Sequence, residues 1–181
     1  MPPDVYTIGH SNRSSEALIA LLQTHAIEVL VDIRRFPGSR RLPQFNRENL
    51  HRALAEAGIT YVWMEALGGR RPKREGFTSP NVGLRNESFR NYADYMLTDA
   101  FRAAMNELEQ MAAARCTAIM CSESLFWHCH RRLVSDDLVA RGGTVIHIFP
   151  NGTTQPHALT AGAQVTDGVV TYPGEKTLFD Q

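Results

Sequence analysis

Short apolar runs alternate with amphipathic segments along most of the chain. Five of these runs have the length and the β-branched or aromatic content of buried strands. They cover Val5–Gly9, Val29–Ile33, Ile59–Met64, Thr117–Cys121 and Thr144–Phe149. The run Val29–Ile33 is apolar at every position except Asp32, which is typical of a strand covered on both faces of a parallel sheet.

Helical spacing of apolar residues fills the intervals between the predicted strands. The predicted helices are Ser15–His25, Arg47–Ala57, Phe89–Arg115 with a break near Thr98-Asp99, and Leu125–Arg141. Strands and helices that alternate in this way predict an α/β domain with right-handed crossovers. We therefore expect a mainly parallel five-stranded sheet with helices on both faces.

Two segments do not follow this alternation. Residues 66–88 are polar, rich in Gly, Pro and Arg, and without periodicity, so they are predicted to be a long functional loop. In the C-terminal tail, residues 150–181, we expect a short helix over Pro156–Ala161 and a hairpin over Gln164–Tyr172 about Asp167-Gly168. With 181 residues, the whole chain is expected to form a single domain.

The formal net charge is zero, but the charge is unevenly distributed. Of the 19 basic residues 17 are arginine, and they cluster in Arg34–Arg52 and Arg70–Arg74, which predicts local binding of anions. Because Met1–Asp4 runs directly into an apolar strand, we expect no secretory leader, and no apolar run approaches the ~20 residues of a membrane helix. Three cysteines in such a chain favour reduced thiols in the cytoplasm and no membrane association.

Polar side chains follow three of the predicted strands at their carboxyl ends. They are His10 and Ser11 after the first strand, Asp32 and Arg34 at the second, and Cys121 and Glu123 at the fourth. Ligands bind beyond the carboxyl ends of the strands in open α/β sheets, so we predict a pocket at this edge. His130 and Arg131, on the predicted helix after the fourth strand, would form another of its walls.

Each residue type suggests a role in this pocket. Cys121 is a candidate nucleophile, Glu123 a general acid or base, His130 or His10 a proton carrier, and Asp32 an orienting group. Candidate anion-binding residues are Ser11, Arg34, Ser39, Arg40, Arg70 and Arg131. Structural interpretations stay open: Cys121 and Cys129 as packing residues, Asp32 as a partner of Arg34, and Arg131 as a partner of Asp32 or Glu123.

The chain resembles the bacterial family known only as domain of unknown function 488. The resemblance lies in YTIGHSNRS, VDIRRFPGSRRLPQFN, ITYVWMEALGGRR, NYADYM, MCSESLFWHCHRRLVSDDLVARG and VIHI. It implies an α/β domain and no particular activity. The family's recurrent positions fall here on Gly9, His10, Ser11, Asp32, Arg34, Pro37, Ser39, Arg40, Phe45, Gly68, Gly69, Cys121, Glu123, Cys129, His130 and Arg131.

These observations favour an enzyme that acts on a phosphorylated substrate, such as a nucleotide or a nucleic acid. A non-enzymatic nucleic-acid-binding or repair-associated module is an alternative, with Phe36, Phe45 and Phe77 interleaved among the arginines. A thiol redox or metal-binding protein is a second alternative. Metal is disfavoured because the spacing matches no zinc signature and because adjacent helical residues, Cys129 and His130, would diverge. We expect no cofactor, and the sequence specifies no oligomeric state.

Overall fold

A computed structural model, which describes residues 2–174, contains a six-stranded sheet in the order β3–β2–β4–β1–β5–β6. The strands are β1 (Asp4–Gly9), β2 (Val29–Asp32), β3 (Thr60–Trp63), β4 (Thr117–Cys121), β5 (Thr144–Ile148) and β6 (Thr154–Pro156). Strands β1 to β5 are parallel, and β6 runs antiparallel to β5. The mainly parallel sheet is confirmed.

The predicted number of five strands is wrong, because Thr154–Pro156 adds a sixth strand at the edge. A tight turn reverses the chain, with the Phe149 N–H donating to the Thr153 carbonyl at 2.8 Å. All three residues of β6 are exposed, so no apolar alternation marks them in the sequence. The helix predicted over Pro156–Ala161 does not form, because its first residue belongs to this strand.

Helices cover both faces of the sheet, as the sequence predicts. They are α1 (Ser15–Thr24), α2 (Arg47–Glu56), α3 (Glu87–Tyr95), α4 (Asp99–Ala114) and α5 (Arg131–Ala140). Adjacent residues on β2 point to opposite faces. Leu30 therefore packs with Leu18 and Leu54 of α1 and α2, whereas Val31 packs in the second core with α3, α4 and α5.

The break near Thr98-Asp99 is present between α3 and α4, where Thr98 accepts a capping hydrogen bond from the Phe101 N–H. After a short 3-10 turn, Glu65–Leu67, the chain forms no helix or strand until Glu87. Asp94 on α3 anchors this loop by accepting hydrogen bonds from Ser79 (2.6 Å) and Asn81 (2.8 Å). The loop is therefore held against the body of the domain.

The helix after β4 begins at Arg131 and not at Leu125, which corrects the predicted boundary. Residues Phe126–His128 form a 3-10 turn, Cys129 is extended with φ −140° and ψ 172°, and His130 caps α5. The Phe126 ring stacks on His147 of β5 with centroids 3.6 Å apart, which holds this turn against the sheet. Cys129 and His130 are therefore not adjacent positions within a helix, and the argument against metal from helical divergence does not hold.

The C-terminal hairpin is confirmed. Strands β7 (Gln164–Thr166) and β8 (Val169–Thr171) pair antiparallel across Asp167 and Gly168, which have the positive φ of a tight hairpin turn (51° and 75°). Residues 175–181 of the predicted tail lie outside the described residues. No helix within residues 2–174 combines the length and apolar character needed to cross a membrane.

The sheet order places the carboxyl ends of β2, β4 and β1 side by side. Beyond these ends the backbones continue to pair: the His10 N–H donates to the Cys121 carbonyl at 3.0 Å, and the Ser11 N–H to the Ser122 carbonyl at 2.9 Å. A Cβ atom at Gly9 would lie 1.7 Å from the Glu123 carbonyl oxygen. Only glycine therefore allows the loop after Cys121 to pack directly on β1.

We predict that Gly9→Ala lowers the free energy of unfolding by about 3 kcal/mol, because the new methyl group overlaps backbone atoms. Urea denaturation measures this change. Gly38→Ala is the matched control, since a Cβ at Gly38 meets no atom within 4 Å. Equal stability of the two variants would contradict the close approach of β1 to the Glu123 loop.

Candidate active site

A cavity of about 540 Å³ opens at the carboxyl ends of β1, β2 and β4. Its walls come from these strand ends, the loop after β2, the Gly69-Arg70 segment, the start of α3 and the turn before α5. The lining residues are His10, Arg34, Arg35, Phe36, Gly38, Ser39, Leu42, Gly69, Arg70, Ser88, Phe89, Tyr92, Cys121, Ser122, Glu123, His128, Cys129 and His130.

The cavity brings together most of the residues predicted from the sequence. Those that line it are His10, Arg34, Ser39, Arg70, Cys121, Glu123 and His130. Ser11 and Arg40 lie outside its lining, and Asp32 and Arg131 are buried behind it, with 0% and 1% of their surface exposed. These four side chains therefore do not line the cavity in which a ligand would bind. Their predicted roles stay predictions.

Two thiols lie in contact at the base of the cavity. The Sγ atoms of Cys121 and Cys129 are 2.9 Å apart, and both thiols are free. Burial raises the pKa of Cys121, and its hydrogen bond with Cys129 raises it further. Burial also acts to raise the pKa of Cys129, but the hydrogen bond from Cys121 and the positive charge and N–H of Arg131 together lower it to about 7. Cys129 is thus the more acidic thiol.

Arg131 is an almost fully buried cation beside these thiols. Its guanidinium donates to the backbone carbonyls of Glu123 (3.0 Å) and Ser124 (3.3 Å), and the backbone N–H of Arg131 donates to Cys129 Sγ at 3.4 Å. No acidic side chain in residues 2–174 forms an ion pair with it. Arg131 therefore contacts Glu123, as predicted, but through the backbone carbonyl and not the carboxylate. Asp32 is not a partner of Arg131.

Asp32 instead pairs with Arg34. The Asp32 carboxylate accepts from Arg34 Nε at 2.8 Å and Nη2 at 2.6 Å, and from the Tyr61 hydroxyl at 2.5 Å. Burial acts to lower the pKa of Arg34, but the hydrogen bond and charge of Asp32 outweigh burial and raise it. Asp32 and Tyr61 thus hold the Arg34 guanidinium at the cavity wall. No feature of the sequence pointed to Tyr61 as part of this site.

The two cavity histidines are neutral and have fixed tautomers. His10 Nδ1 donates to the Ser11 carbonyl at 2.7 Å, and His130 Nε2 donates to the Ile33 carbonyl at 2.8 Å. Burial lowers the pKa of each to about 4. The other nitrogen of each ring is left as an acceptor. A Cβ at Gly69 would lie 2.8 Å from His130 Nδ1, so the glycine makes room for this ring.

The mouth of the cavity combines cations with an exposed aromatic ring. Phe36 is 67% exposed, with the Arg35 guanidinium 5.2 Å from its ring centroid. Within the described part of the chain, no side-chain hydrogen bond or ion pair engages the exposed Arg70 guanidinium. Glu123 is the single acidic residue of the lining, so arginines dominate the charge of this surface.

The sequence indicates one feature of this site in part and carries no sign of another. It leaves open both a packing role for Cys129 and a redox pair with Cys121, and the structure shows the two Sγ atoms in contact at 2.9 Å. A buried hydrogen-bonded group behind the thiols, formed by His147, His157 and Asp136, had no sequence signal, since its members lie on different elements. Among the described residues, no group of three or more His, Cys, Asp or Glu side chains is placed to hold a metal ion.

The chain matches the family model described as Domain of unknown function DUF488 over residues 14–138, and it belongs to this family. The matched region contains the cavity residues of β2 and β4 and the thiol pair. His10, on the other hand, precedes this region, and β5 to β8 follow it. No curated protein and no solved structure matches the chain.

We predict that Cys129 reacts with iodoacetamide with a midpoint near pH 7, because only the thiolate is nucleophilic and the pKa of Cys129 is about 7. Peptide mapping by mass spectrometry resolves each cysteine. Cys116 is the internal control: burial raises its pKa above the ordinary value of 9.0, so its rate should rise only at higher pH. A common midpoint for the two thiols would contradict the assignment.

Proposed function

We propose that this protein is an enzyme that uses the Cys129 thiolate as a nucleophile on a phosphorylated substrate, a nucleotide or a nucleic acid. The observation that carries this proposal is an acidic thiol at the base of a cavity lined by arginines. The sequence favoured Cys121 as the nucleophile. Cys129 suits this role better, since Cys121 donates a hydrogen bond to it and has a raised pKa.

Arginine side chains and one hydroxyl supply the groups that a phosphate requires. Arg34 is fixed by Asp32 and keeps its Nη1 side toward His10 at 3.4 Å, and Arg70 extends at the mouth. Guanidinium groups match phosphate oxygens in geometry and charge. Ser39 lies on the same wall. We assign Arg34, Arg35 and Arg70 to phosphate binding.

An aromatic base would fit at the mouth of the same cavity. Phe36 offers an open ring face, and stacking on an aromatic side chain stabilises nucleobases by about 1–3 kcal/mol per base. Phe45, the other aromatic residue of the basic loop, is fully buried and stacks on His10 at 4.2 Å, so it offers no face to a ligand. This arrangement favours a nucleotide over a simple phosphate ester.

A second cavity, of about 330 Å³, supports a substrate longer than one nucleotide. The second cavity is lined by residues that lie close in sequence to those of the first. Lys73 and Arg74 come shortly after Arg70, and Arg90 comes directly after Phe89. Three cations there face two carboxylates, those of Glu87 and Asp94. A nucleic-acid strand could therefore extend from the thiol cavity along this surface.

The proposed reaction needs one nucleophile and groups that move protons. The Cys129 sulfur forms a bond to the electrophilic atom of the substrate, and the leaving group departs with the electron pair of the broken bond. Water then displaces the sulfur, and the unprotonated nitrogen of His130 or His10 accepts its proton. Glu123, exposed at the rim, is assigned to protonate the leaving group.

We expect a screen of nucleotides and short single-stranded oligonucleotides to reveal a turnover that Cys129→Ser lowers by about 100-fold or more. Arg70→Ala should raise KM about 10-fold, the size of a charge-assisted hydrogen bond. Cys116→Ser is the matched control, because this thiol is remote from the cavity lining. Oligonucleotide binding that weakens steeply with salt but shows no Cys129-dependent turnover would instead support a non-enzymatic nucleic-acid-binding module.

Thiol redox chemistry is a second candidate function, favoured by the 2.9 Å contact between Cys121 and Cys129. A disulfide requires sulfur atoms about 2.05 Å apart, so a small approach suffices. The Cys129 thiolate attacks a substrate disulfide and releases one thiolate, and Cys121 then attacks Cys129 and releases the second. The substrate gains two electrons as the protein forms its disulfide. Both candidates require reduced thiols, so we place the protein in the cytoplasm.

Equilibration with mixtures of oxidised and reduced glutathione tests the redox candidate. We expect one intramolecular disulfide, mapped to Cys121 and Cys129, while Cys116 stays free or carries glutathione. Cys121→Ser should trap a mixed disulfide on Cys129, because the resolving thiol is gone. If no disulfide forms between Cys121 and Cys129, their contact is a packing contact and the redox candidate is wrong.

A further inference from the structure

A continuous chain of buried hydrogen bonds leads from Asp136 on α5 to Arg131. Asp136 Oδ1 lies 2.7 Å from His157 Nε2, and His157 Nδ1 lies 2.8 Å from His147 Nε2. His147 Nδ1 is 2.6 Å from Thr7 Oγ1, which lies 3.4 Å from Arg131 Nη1. The chain joins β1, β5, α5 and the segment after β6 behind the thiol cavity.

The partners at the two ends determine the direction of every hydrogen bond in this chain. Asp136 accepts, so His157 donates from Nε2 and accepts at Nδ1 when its ring is neutral. His147 must then donate from Nε2 and accept at Nδ1, which makes the Thr7 hydroxyl a donor to His147. The remaining lone pair of Thr7 accepts from Arg131 Nη1, so the Thr7 hydroxyl and both ring nitrogens of each histidine are hydrogen-bonded.

The chain is shielded from water, which strengthens it electrostatically. Asp136 and Thr7 are fully buried, His147 is 1% exposed, and the Phe126 ring covers His147 in parallel stacking. Burial lowers the pKa of His147 to about 3, so this ring is neutral. Asp136 accepts two further hydrogen bonds, from the Tyr172 hydroxyl at 2.6 Å and from the Thr160 N–H at 3.0 Å.

We propose that Asp136, His157, His147 and Thr7 are positioning residues that hold Arg131 in place and through it set the reactivity of Cys129. Arg131 has no direct carboxylate partner in residues 2–174, and this chain connects it to the nearest buried carboxylate that the hydrogen bonds reach. Its catalytic meaning rests on the proposed function. The pH midpoint of Cys129 alkylation, by contrast, can be measured without a substrate.

Several charged and titratable groups lie near Cys129 and Arg131, and the test must distinguish their effects from that of the hydrogen-bond chain. Cys121 from β4 and Tyr92 from α3 face Cys129, together with Arg131. Arg13, from the loop after β1, lies close enough to Arg131 for the positive charge of Arg131 to lower the pKa of Arg13, after the larger effect of burial. Thr7 and His147 carry no charge in the neutral chain, so a change at Thr7 alters the position of Arg131 without adding or removing charge.

The test measures the pH midpoint of Cys129 alkylation in Thr7→Val and Thr7→Ser. Valine removes the hydroxyl that accepts from Arg131, whereas serine retains it. We expect Thr7→Val to raise the midpoint by about one pH unit, a tenfold change in thiolate fraction below the midpoint, and Thr7→Ser to restore the wild-type value. Tyr172→Phe is the matched control, because it removes a hydrogen bond to Asp136 outside the chain.

An unchanged midpoint in folded Thr7→Val, or an equal shift in Tyr172→Phe, would overturn the proposal. His157→Phe removes both ring nitrogens that link Asp136 to His147 and decides the question by the same readout if Thr7→Val does not fold. Where turnover is found, kcat near neutral pH should fall in proportion to the thiolate fraction while KM is retained. If no substrate is turned over, the proposed function fails, but the midpoints still test the positioning chain.

Discussion

The candidate site depends on the burial of one guanidinium, that of Arg131. Removing a cation from water is costly unless its hydrogen bonds are replaced. Two backbone carbonyls of the Glu123 loop and the Thr7 hydroxyl accept from Nη1 and Nη2, whereas the buried Nε has no partner among the described residues. The same contacts hold the loop after β4 against Gly9 of β1. A positive charge without a neighbouring carboxylate then favours the anionic form of the nearest acid, the Cys129 thiol.

Side chains of the same type have different environments around the cavity. Arg34 and Arg131 are both buried at strand or helix ends, but Arg34 is neutralised by Asp32 and faces the cavity, whereas Arg131 is sealed behind the thiols. His10 and His130 are both neutral, and each keeps one unprotonated nitrogen. The two cysteines differ as the two arginines do. The hydrogen bond between them raises the pKa of Cys121 and lowers that of Cys129. Their neighbours create these differences.

Much of the site could be predicted from the sequence because parallel strands present their carboxyl ends at one edge of a sheet. That rule alone brings His10, Arg34, Cys121 and Glu123 into one cavity. It did not separate Asp32, which supports Arg34, from residues that face a ligand, because residue type and position carry no information about burial at a strand end. Membership of the DUF488 family extends over the same strands and carries no activity with it.

The sequence by itself determined the α/β class, the parallel strands, the helices on both faces and the C-terminal hairpin, because hydrophobic periodicity and turn residues are local signals. Only the tertiary structure decided the edge strand β6, the delayed start of α5, the contact of Cys121 with Cys129 and the chain from Asp136 to Arg131. Each of these depends on contacts that form only after folding, such as the stacking of Phe126 on His147, and hydrophobic periodicity carries no sign of them. The acidity of a thiol depends on such contacts, so the sequence located the cavity, whereas only the fold distinguishes the pKa of Cys129 from that of Cys121.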